Sequence, residues 1–537
     1  MSKIAILRVI AIVGLVLLTG LALVLSYQFL YNTPVANTWH WWLGDETWLL
    51  AEYGEFIRTG LYINPLAPGS AFSQCSGLLF GSCYVTAGFY GLPLLLIKGH
   101  TIATGRTITF LLSILTLVTL WWAAKRAGVG PILRAFGCLL LASTLCFFVT
   151  SHSARPDMLI GLALLLLTGF LPSLIEKPGT IQLALLGLVI PATLLINGHV
   201  LVLSFLVLGY LLWNAGGFRT LKNLFSWVAA ASAGFILLLF AQIGLLGSGS
   251  LFGPFSGSSI TMPIVHFIHP KTDLADLESR LLIARLWAPG VFMALIVVIL
   301  AMAYSQFRPG SRITTREPRN RRILASIAIL TASSIFFEFH EFRYLIYILP
   351  SLVLGIVVLL SSLVKVESRP FLSVTYSAFG LCLGIGISSY ITTAFDWGDV
   401  NRAITVANQE IYPEALARIH SLHPGTVRVF STVPGEAIAM DDSCQLITPV
   451  MFVHPIDKSL SREAQWAKAH IDFAIVCSAA HQNKDWDGIN EHPYPPATTK
   501  EKLVFERTGP VSDIGRPYEI SDLKLPDTVR VYQFENE

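Results

Sequence analysis

Charged side chains are scarce in this chain: Asp, Glu, Lys and Arg make up 13% of its 537 residues, where a soluble domain carries about a quarter. With hydrophobic residues at 53%, the shortage excludes a single water-soluble globule. The signs nearly cancel, leaving a formal net charge of +3, so there is no broad basic face and nucleic acid is excluded as a partner. The sequence holds no P-loop and no dinucleotide fingerprint, hence no encoded nucleotide cradle. It has no HExxH and no other dense ligand spacing that would demand a metal. Nor is there an internal repeat, which the two halves of a secondary transporter usually show.

What is present is long apolar runs, reflected in a mean hydropathy of +0.62. The first, "VIAIVGLVLLTGLALVLSYQFLY", follows Lys3 and Arg8. It exceeds a signal-peptide core and lacks a small-x-small cleavage site, so it reads as a retained membrane helix. With roughly 20 apolar residues needed to cross a bilayer, about eleven such runs are expected. They start near residues 8, 104, 135, 156, 181, 199, 223, 287, 322, 343 and 371.

Basic residues collect in alternate loops: Lys125, Arg126 and Arg134; Lys177; Arg219 and Lys222; Arg308 through Arg322; Lys365 and Arg369. By the positive-inside rule these loops and the N-terminus are cytoplasmic, and an odd number of crossings puts everything after residue 394 outside. The seven cysteines fit this scheme. Cys75 and Cys83 fall in the first outside segment and Cys444 and Cys477 in the outside tail, where disulfides can persist. Cys138, Cys146 and Cys382 lie in apolar runs.

Three parts follow. Residues 31–103 form a long outside loop, with "ETWLLAEYGEFIRTG" and "GFYGLPLLLIKG" expected to lie along the membrane surface. Residues 104–393 carry the remaining spans; a Gly/Ser-rich outside stretch, "GSGSLFGPFSGSSI", could act as a mobile cover. Residues 394–537 have the composition of a soluble α/β domain. Its strand-like runs are "TVRVFSTV", "DFAIVCSA", "KLVFERTG" and "TVRVYQFE"; its helix-like ones are "NQEIYPEALARIHSLH" and "SREAQWAKAHI". His454, Asp441, Asp442 and His481 in that domain form no catalytic spacing.

Ionisable groups at membrane depth cost about 2.5–3.5 kcal/mol each even on a lenient scale, so those retained point to function. Three clusters, all on the outside, qualify. "HWWLGDETW" holds His40, Asp45 and Glu46; "TSHSARPDMLIG" holds His152, Arg155 and Asp157; "FFEFHEFRYLIYILP" holds Glu338, His340, Glu341 and Arg343. Any one of them reads as the solvated end of a helix. Together they supply carboxylates to deprotonate a nucleophile and cations to hold an anionic leaving group.

In "GDETW" after the first span, Arg106 opening the second, then "ARPDMLIGLALLL" and "HEFRYLIYILPSLVL", residues 1–393 resemble the GT-C glycosyltransferases. The likeness is strongest to bacterial enzymes similar to protein O-mannosyltransferases and aminoarabinose transferases. The resemblance implies a multi-span α-helical membrane protein of the bacterial inner membrane with a periplasmic C-terminal domain. It implies inverting transfer of a sugar from a polyprenyl-phosphate donor to a lipid, glycan or protein acceptor. Asp45 corresponds to the family's first-loop base, with Glu46 completing the pair and Asp157 a third catalytic acid. Crowding by Glu46 and Asp157 makes a carboxylate at Asp45 a stronger base. Arg343, helped by His340, corresponds to the residue that grips the donor phosphate; Arg155 and Arg106 are further candidates, and each could instead anchor its helix at the surface. A divalent ion on Asp45, Asp157 and His152, or His40, could assist, since the family is divided on metal use. His199, in "INGHVL", stands where many relatives have Thr-Lys-Gly; a histidine bonded to a backbone carbonyl is the simpler reading. A membrane polymerase or ligase of lipid-linked glycans shares the same donor and outside site, and a transporter is the more distant alternative.

The C-terminal domain is assigned to acceptor recognition or to covering the site. Removing residues 394–537 is expected to change which acceptors are used in a transfer assay; unchanged transfer to every acceptor would refute that role.

Overall fold

A computed structural model describes residues 3–32, 102–151, 153–155, 157–174, 179–196, 198–216, 218–246, 285, 287–307, 318–334, 344–364, 369–406, 410–431, 443–447, 459–477, 500–509, 512–513, 524–525 and 528–534. The first outside loop with Cys75 and Cys83, the 246–286 loop beyond Leu246 up to residue 284, and His454, Asp441, Asp442 and His481 lie outside the described residues.

Each apolar run is helical where described. The helices are α1 (Lys3–Asn32), α2 (Ile102–Arg126), α3 (Pro131–Ala142), α4 (Leu145–Ser151), α5 (Asp157–Leu165) and α6 (Leu171–Leu174). They continue with α7 (Thr180–Ile196), α8 (Gly198–Asn214), α9 (Leu221–Leu246), α10 (Pro289–Phe307), α11 (Pro318–Ser334), α12 (Leu345–Val364) and α13 (Arg369–Val406). By length and composition three of them qualify as crossings: Thr104–Arg126, Leu345–Val364 and Ser373–Thr392. The bent pair α3 and α4 is a fourth if it counts as one span, and other apolar helices have 10–17 residues. The eleven expected crossings are therefore helical segments of unequal reach.

Their packing differs from that of a soluble protein in being apolar on the outside as well as in the core. Leu17, Phe205, Trp213, Leu221 and Phe225 are all more than 60% exposed, which suits a hydrocarbon surrounding and would be an aggregation surface in water. The centre is the α3–α4 pair with α5 and α12. The run expected as one span from residue 135 bends by 71° between α3 and α4. Ser143 Oγ donates to the Leu140 carbonyl and Thr144 Oγ1 to that of Leu141. Thr144 Oγ1 also accepts from the Phe147 amide. Two hydroxyls thus satisfy the backbone groups that the break releases, which membrane interior requires.

Small residues let α5 lie against α12. A Cβ on Gly161 would stand 2.6 Å from the Ile346 carbonyl oxygen, and one on Gly169 would overlap the Leu354 side chain. Between them Thr168 Oγ1 and Ser351 Oγ share a 2.8 Å hydrogen bond. Gly169 sits in a wide π-type turn, Leu166–Phe170, that joins α5 to α6. Close approach through small residues and hydroxyls is how helices associate where the hydrophobic effect is absent.

The last helix does not stop where the composition changes. α13 is 38 residues long and runs through residue 394 to Val406, about 57 Å at 1.5 Å per residue. The α/β part begins beyond it, with α14 (Tyr412–Leu422), β1 (Val427–Ser431), β2 (Cys444–Ile447), α15 (Arg462–Ala469), β3 (Phe473–Cys477), β4 (Glu501–Thr508), β5 (Ser512–Asp513), β6 (Lys524–Leu525) and β7 (Thr528–Phe534). The main sheet has the order β2-β1-β3-β7-β4, with β2, β1 and β3 parallel and β7 and β4 antiparallel. Alternation sends Val427, Val429, Phe473 and Ile475 to the face covered by Tyr412, Ala415 and Ile419 of α14. Phe430, Ile447 and Ala474 face Trp466 of α15. Arg507 ties α14 to β4 through Glu410 at 2.9 Å and Glu414 at 2.6 Å.

This register corrects the expectation for the tail cysteines. Cys444 is level with Val427 on one side of β1. Phe473, on the other side, is already level with Val429, and Cys477 lies four residues further on. Their Cα atoms are thus separated by about 20 Å along the strands and by two strand spacings of about 4.8 Å, well past the roughly 7 Å limit for a bridge. Cys444 and Cys477 do not pair with each other.

Gly161→Ala is expected to destabilise the fold by about 1–3 kcal/mol through overpacking, seen as a lower midpoint of thermal unfolding in detergent. Gly209→Ala, with nothing within 4 Å of its Cβ, should not lower the midpoint. Equal midpoints for the two variants would contradict the close α5–α12 contact.

Candidate active site

α4 ends at Ser151, and a short turn delivers Arg155 and then Asp157, the first residue of α5. Arg155 precedes a proline, which disfavours helical backbone there and separates the two helices. Its amide donates to the Ser153 carbonyl at 2.8 Å, tightening the turn. A carboxylate at a helix N-terminus is favoured by the unpaired amides and the helix dipole.

Asp157 is 2% and Arg155 4% exposed, so both charges are out of bulk solvent. Arg155 Nε donates to Asp157 Oδ2 at 2.9 Å. The other oxygen, Oδ1, accepts the hydroxyl of Tyr347 at 2.9 Å, across 190 residues of sequence. Tyr347 is in the first turn of α12 and packs edge-on to Tyr344 with ring centroids 5.4 Å apart. Sequence reasoning passed over Tyr347; a tyrosine inside an apolar run, whose hydroxyl needs a partner, was its only signal.

Arg106 is the largest fully buried side chain in the described residues, at 1% exposure near the head of α2. α2 and α5 run in the same sense, since Arg126 stacks on Phe170 and Ala123 abuts Gly169 at their far ends. Arg106 therefore belongs to the same end of the bundle as Asp157. Of the expected site residues, the structure brings Arg155 and Asp157 into contact and puts Arg106 at their end. His199 lies in the first turn of α8. His40, Asp45, Glu46, His152, Glu338, His340, Glu341 and Arg343 lie outside the described residues.

The geometry alters what Asp157 can do. Each of its oxygens already accepts a hydrogen bond, and the Arg155 guanidinium offsets its charge, which weakens the repulsion it would exert on a neighbouring acid. It is suited to orienting Arg155 rather than to taking a proton. Among the described residues no group of three or more His, Cys, Asp or Glu is placed to hold a metal ion. Of the expected ligands Asp45, Asp157 and His152, only Asp157 is described.

No family model matches the sequence, and no curated protein sequence matches it. Solved structures do. ArnT of Cupriavidus metallidurans bound to undecaprenyl phosphate superposes with a TM-score of 0.52 at 12% identity, over 96% of this chain and 97% of that one. The apo state of the same protein gives 0.53 at 13% identity over the same shares. This chain shares the fold of ArnT. An oligosaccharyltransferase of Archaeoglobus fulgidus is also similar, with a TM-score of 0.46 at 11% identity, over 86% of this chain and 69% of that one. Within this fold, the described polar core is the Arg155–Asp157–Tyr347 chain with Arg106 at the same end.

Replacing Tyr347 by Phe strands one buried oxygen of Asp157 and is expected to cost about 1–3 kcal/mol. Arg155→Leu, which leaves the carboxylate without its cation, should cost more, about 3–5 kcal/mol. Adding Asp157→Leu to Arg155→Leu should recover most of that loss in a detergent unfolding experiment. A double variant no better than Arg155→Leu alone would show that the pair does not act as a unit.

Proposed function

We propose that this protein transfers a sugar from a polyprenyl-phosphate carrier to a hydroxyl-bearing acceptor, at the end of the bundle where α5 and α12 meet. The observation that carries this reading is the likeness along nearly the whole chain, 96% of its length, to a GT-C structure whose bound molecule is undecaprenyl phosphate. The placement of two buried guanidinium groups, Arg106 and Arg155, at one end of the bundle supports it, because cations held in fixed positions suit an anionic donor.

In the proposed reaction, Asp45, paired with Glu46, takes the proton of the acceptor hydroxyl as its oxygen bonds to the anomeric carbon. The bond from that carbon to the phosphate oxygen breaks with inversion, and its electron pair leaves with the lipid phosphate. Cations already aimed at that phosphate need no rearrangement as charge develops on it. Arg343 and His340, which precede α12 in the sequence, are assigned this role together with Arg155. Asp157 and Tyr347 hold Arg155 in one orientation, and such fixed forks suit the oxygens of a phosphate. The positive-inside pattern sets this end outside the cytoplasm, which in a bacterial inner membrane is the periplasmic side. The C-terminal α/β domain then lies on the acceptor's side and selects or covers it.

The test supplies purified protein with a panel of polyprenyl-phosphate sugars and follows which one is consumed. Asp45→Asn is expected to abolish consumption, by a factor of a thousand or more on the order of what general-base and positioning losses produce together, with the unfolding midpoint unchanged. Full turnover by Asp45→Asn would refute the assignment of the base; no consumption of any lipid-linked sugar by the unaltered protein would refute the reaction.

A further inference from the structure

The opposite end of the bundle carries a second concentration of charge that the transfer reaction does not use. From Ile102 to Pro156 the sequence contains Arg106, Lys125, Arg126, Arg134 and Arg155 and not a single acid. Three of these five gather around the tight turn between α2 and α3, where Gly128 has a positive φ of 74° and Gly130 precedes the Pro131 that starts α3. Each is backed by a ring. Lys125 Nζ is 4.6 Å from the centroid of Trp122, the Arg126 guanidinium 4.8 Å from Phe170, and that of Arg134 4.5 Å from Trp121.

None of the three has a carboxylate partner among the described residues. Arg134 Nε is buried without a hydrogen-bond acceptor. The basic head of α11 is fastened to the same place. Arg319 Nη1 donates to the Arg126 carbonyl at 2.9 Å, Asn320 Nδ2 to that of Ala127 at 3.1 Å, and Arg322 Nε to that of Pro172 at 3.3 Å. Those contacts cap the carbonyl ends of neighbouring helices and bring further positive charge without bringing an anion.

We propose that this turn binds the phosphodiester headgroup of an anionic phospholipid of the surrounding leaflet. Trp122 is 50% exposed and Lys125 and Arg126 are exposed beside it, so the patch looks outward to the bilayer and not into the bundle. Tryptophan belongs at the depth where acyl chains meet headgroups. The rings hold the cations from one side, and a phosphate completes them from the other. Asp157 and Phe170 are 13 residues apart along one helical path, about 20 Å, so this headgroup is not the donor's phosphate. The inference does not rest on the reaction proposed above.

The test uses the purified full-length protein in neutral detergent, titrated with brominated phosphatidylglycerol and, in parallel, brominated phosphatidylcholine, while tryptophan quenching is followed. Each surface cation is worth roughly fivefold in binding to anionic lipid. The triple variant Lys125→Gln, Arg126→Gln and Arg134→Gln should therefore bind phosphatidylglycerol on the order of a hundredfold more weakly, with phosphatidylcholine unaffected. If the triple variant does not fold, Arg134→Gln alone is expected to lose about fivefold. Equal affinity of the unaltered protein for the two lipids overturns the proposal, and so does unchanged affinity in the variant that folds. Displacement of phosphatidylglycerol by millimolar inorganic phosphate would also overturn it, since the site would then select free phosphate over the lipid.

Discussion

A carboxylate at 2% exposure inside a membrane bundle has no water to lean on, and everything around Asp157 is arranged to compensate for that. Arg155 supplies the opposite charge from two residues away, and Tyr347 supplies a neutral donor from another helix. The local pair could form in any chain with this turn; the long-range bond could not. It requires the Tyr347 hydroxyl of α12 to come within 3 Å of the Asp157 carboxylate at the head of α5, and so makes the helix arrangement a precondition of the polar core. The converse also holds, because a misplaced α12 would leave a buried acid short of a donor, at a free-energy cost comparable to a large part of a domain's net stability.

The seam below that bond shows how the arrangement is achieved without a hydrophobic driving force. Lipid chains solvate leucine as well as another helix does, so apolar faces alone give α5 and α12 no reason to meet. Gly161 and Gly169 remove the side chains that would hold the backbones apart, and the Thr168–Ser351 hydrogen bond adds a directional contact between them. Pro350 within α12 is tolerated beside this seam, as prolines are in membrane helices whose neighbours can satisfy the freed carbonyls.

Much of the fold was legible in the sequence because lipid imposes a simple rule: apolar runs become helices. Each run from residue 8 to residue 371 did so where it is described. The rule says nothing about local breaks, and the 71° bend at Ser143–Thr144 depends on two hydroxyls within an otherwise apolar stretch. In the soluble domain the strand-like runs became β1, β3, β4 and β7, while β2, the short "CQLI", carried too few residues to show a period. Composition put the domain boundary at 394, but a helix already started continues through polar residues until something ends it, and α13 continues to Val406. At the site, Arg155 and Asp157 were visible as charges out of place. Tyr347 was not, because one hydroxyl in an aromatic residue hardly alters hydropathy; only its long-range partner reveals it.

The length of α13 has a mechanical meaning. Hydrocarbon accounts for about 30 Å of its course, over Ser373–Thr392, leaving roughly 21 Å of continuous rod beyond Thr392 that runs to the hairpin of β5 and β6, against which α13 packs. Transmembrane helices change inclination when bilayer thickness changes. At the top of such a lever a swing of 10° carries whatever is mounted there sideways by about 4 Å. The thickness of the membrane thus bears on the height and lateral position of that hairpin.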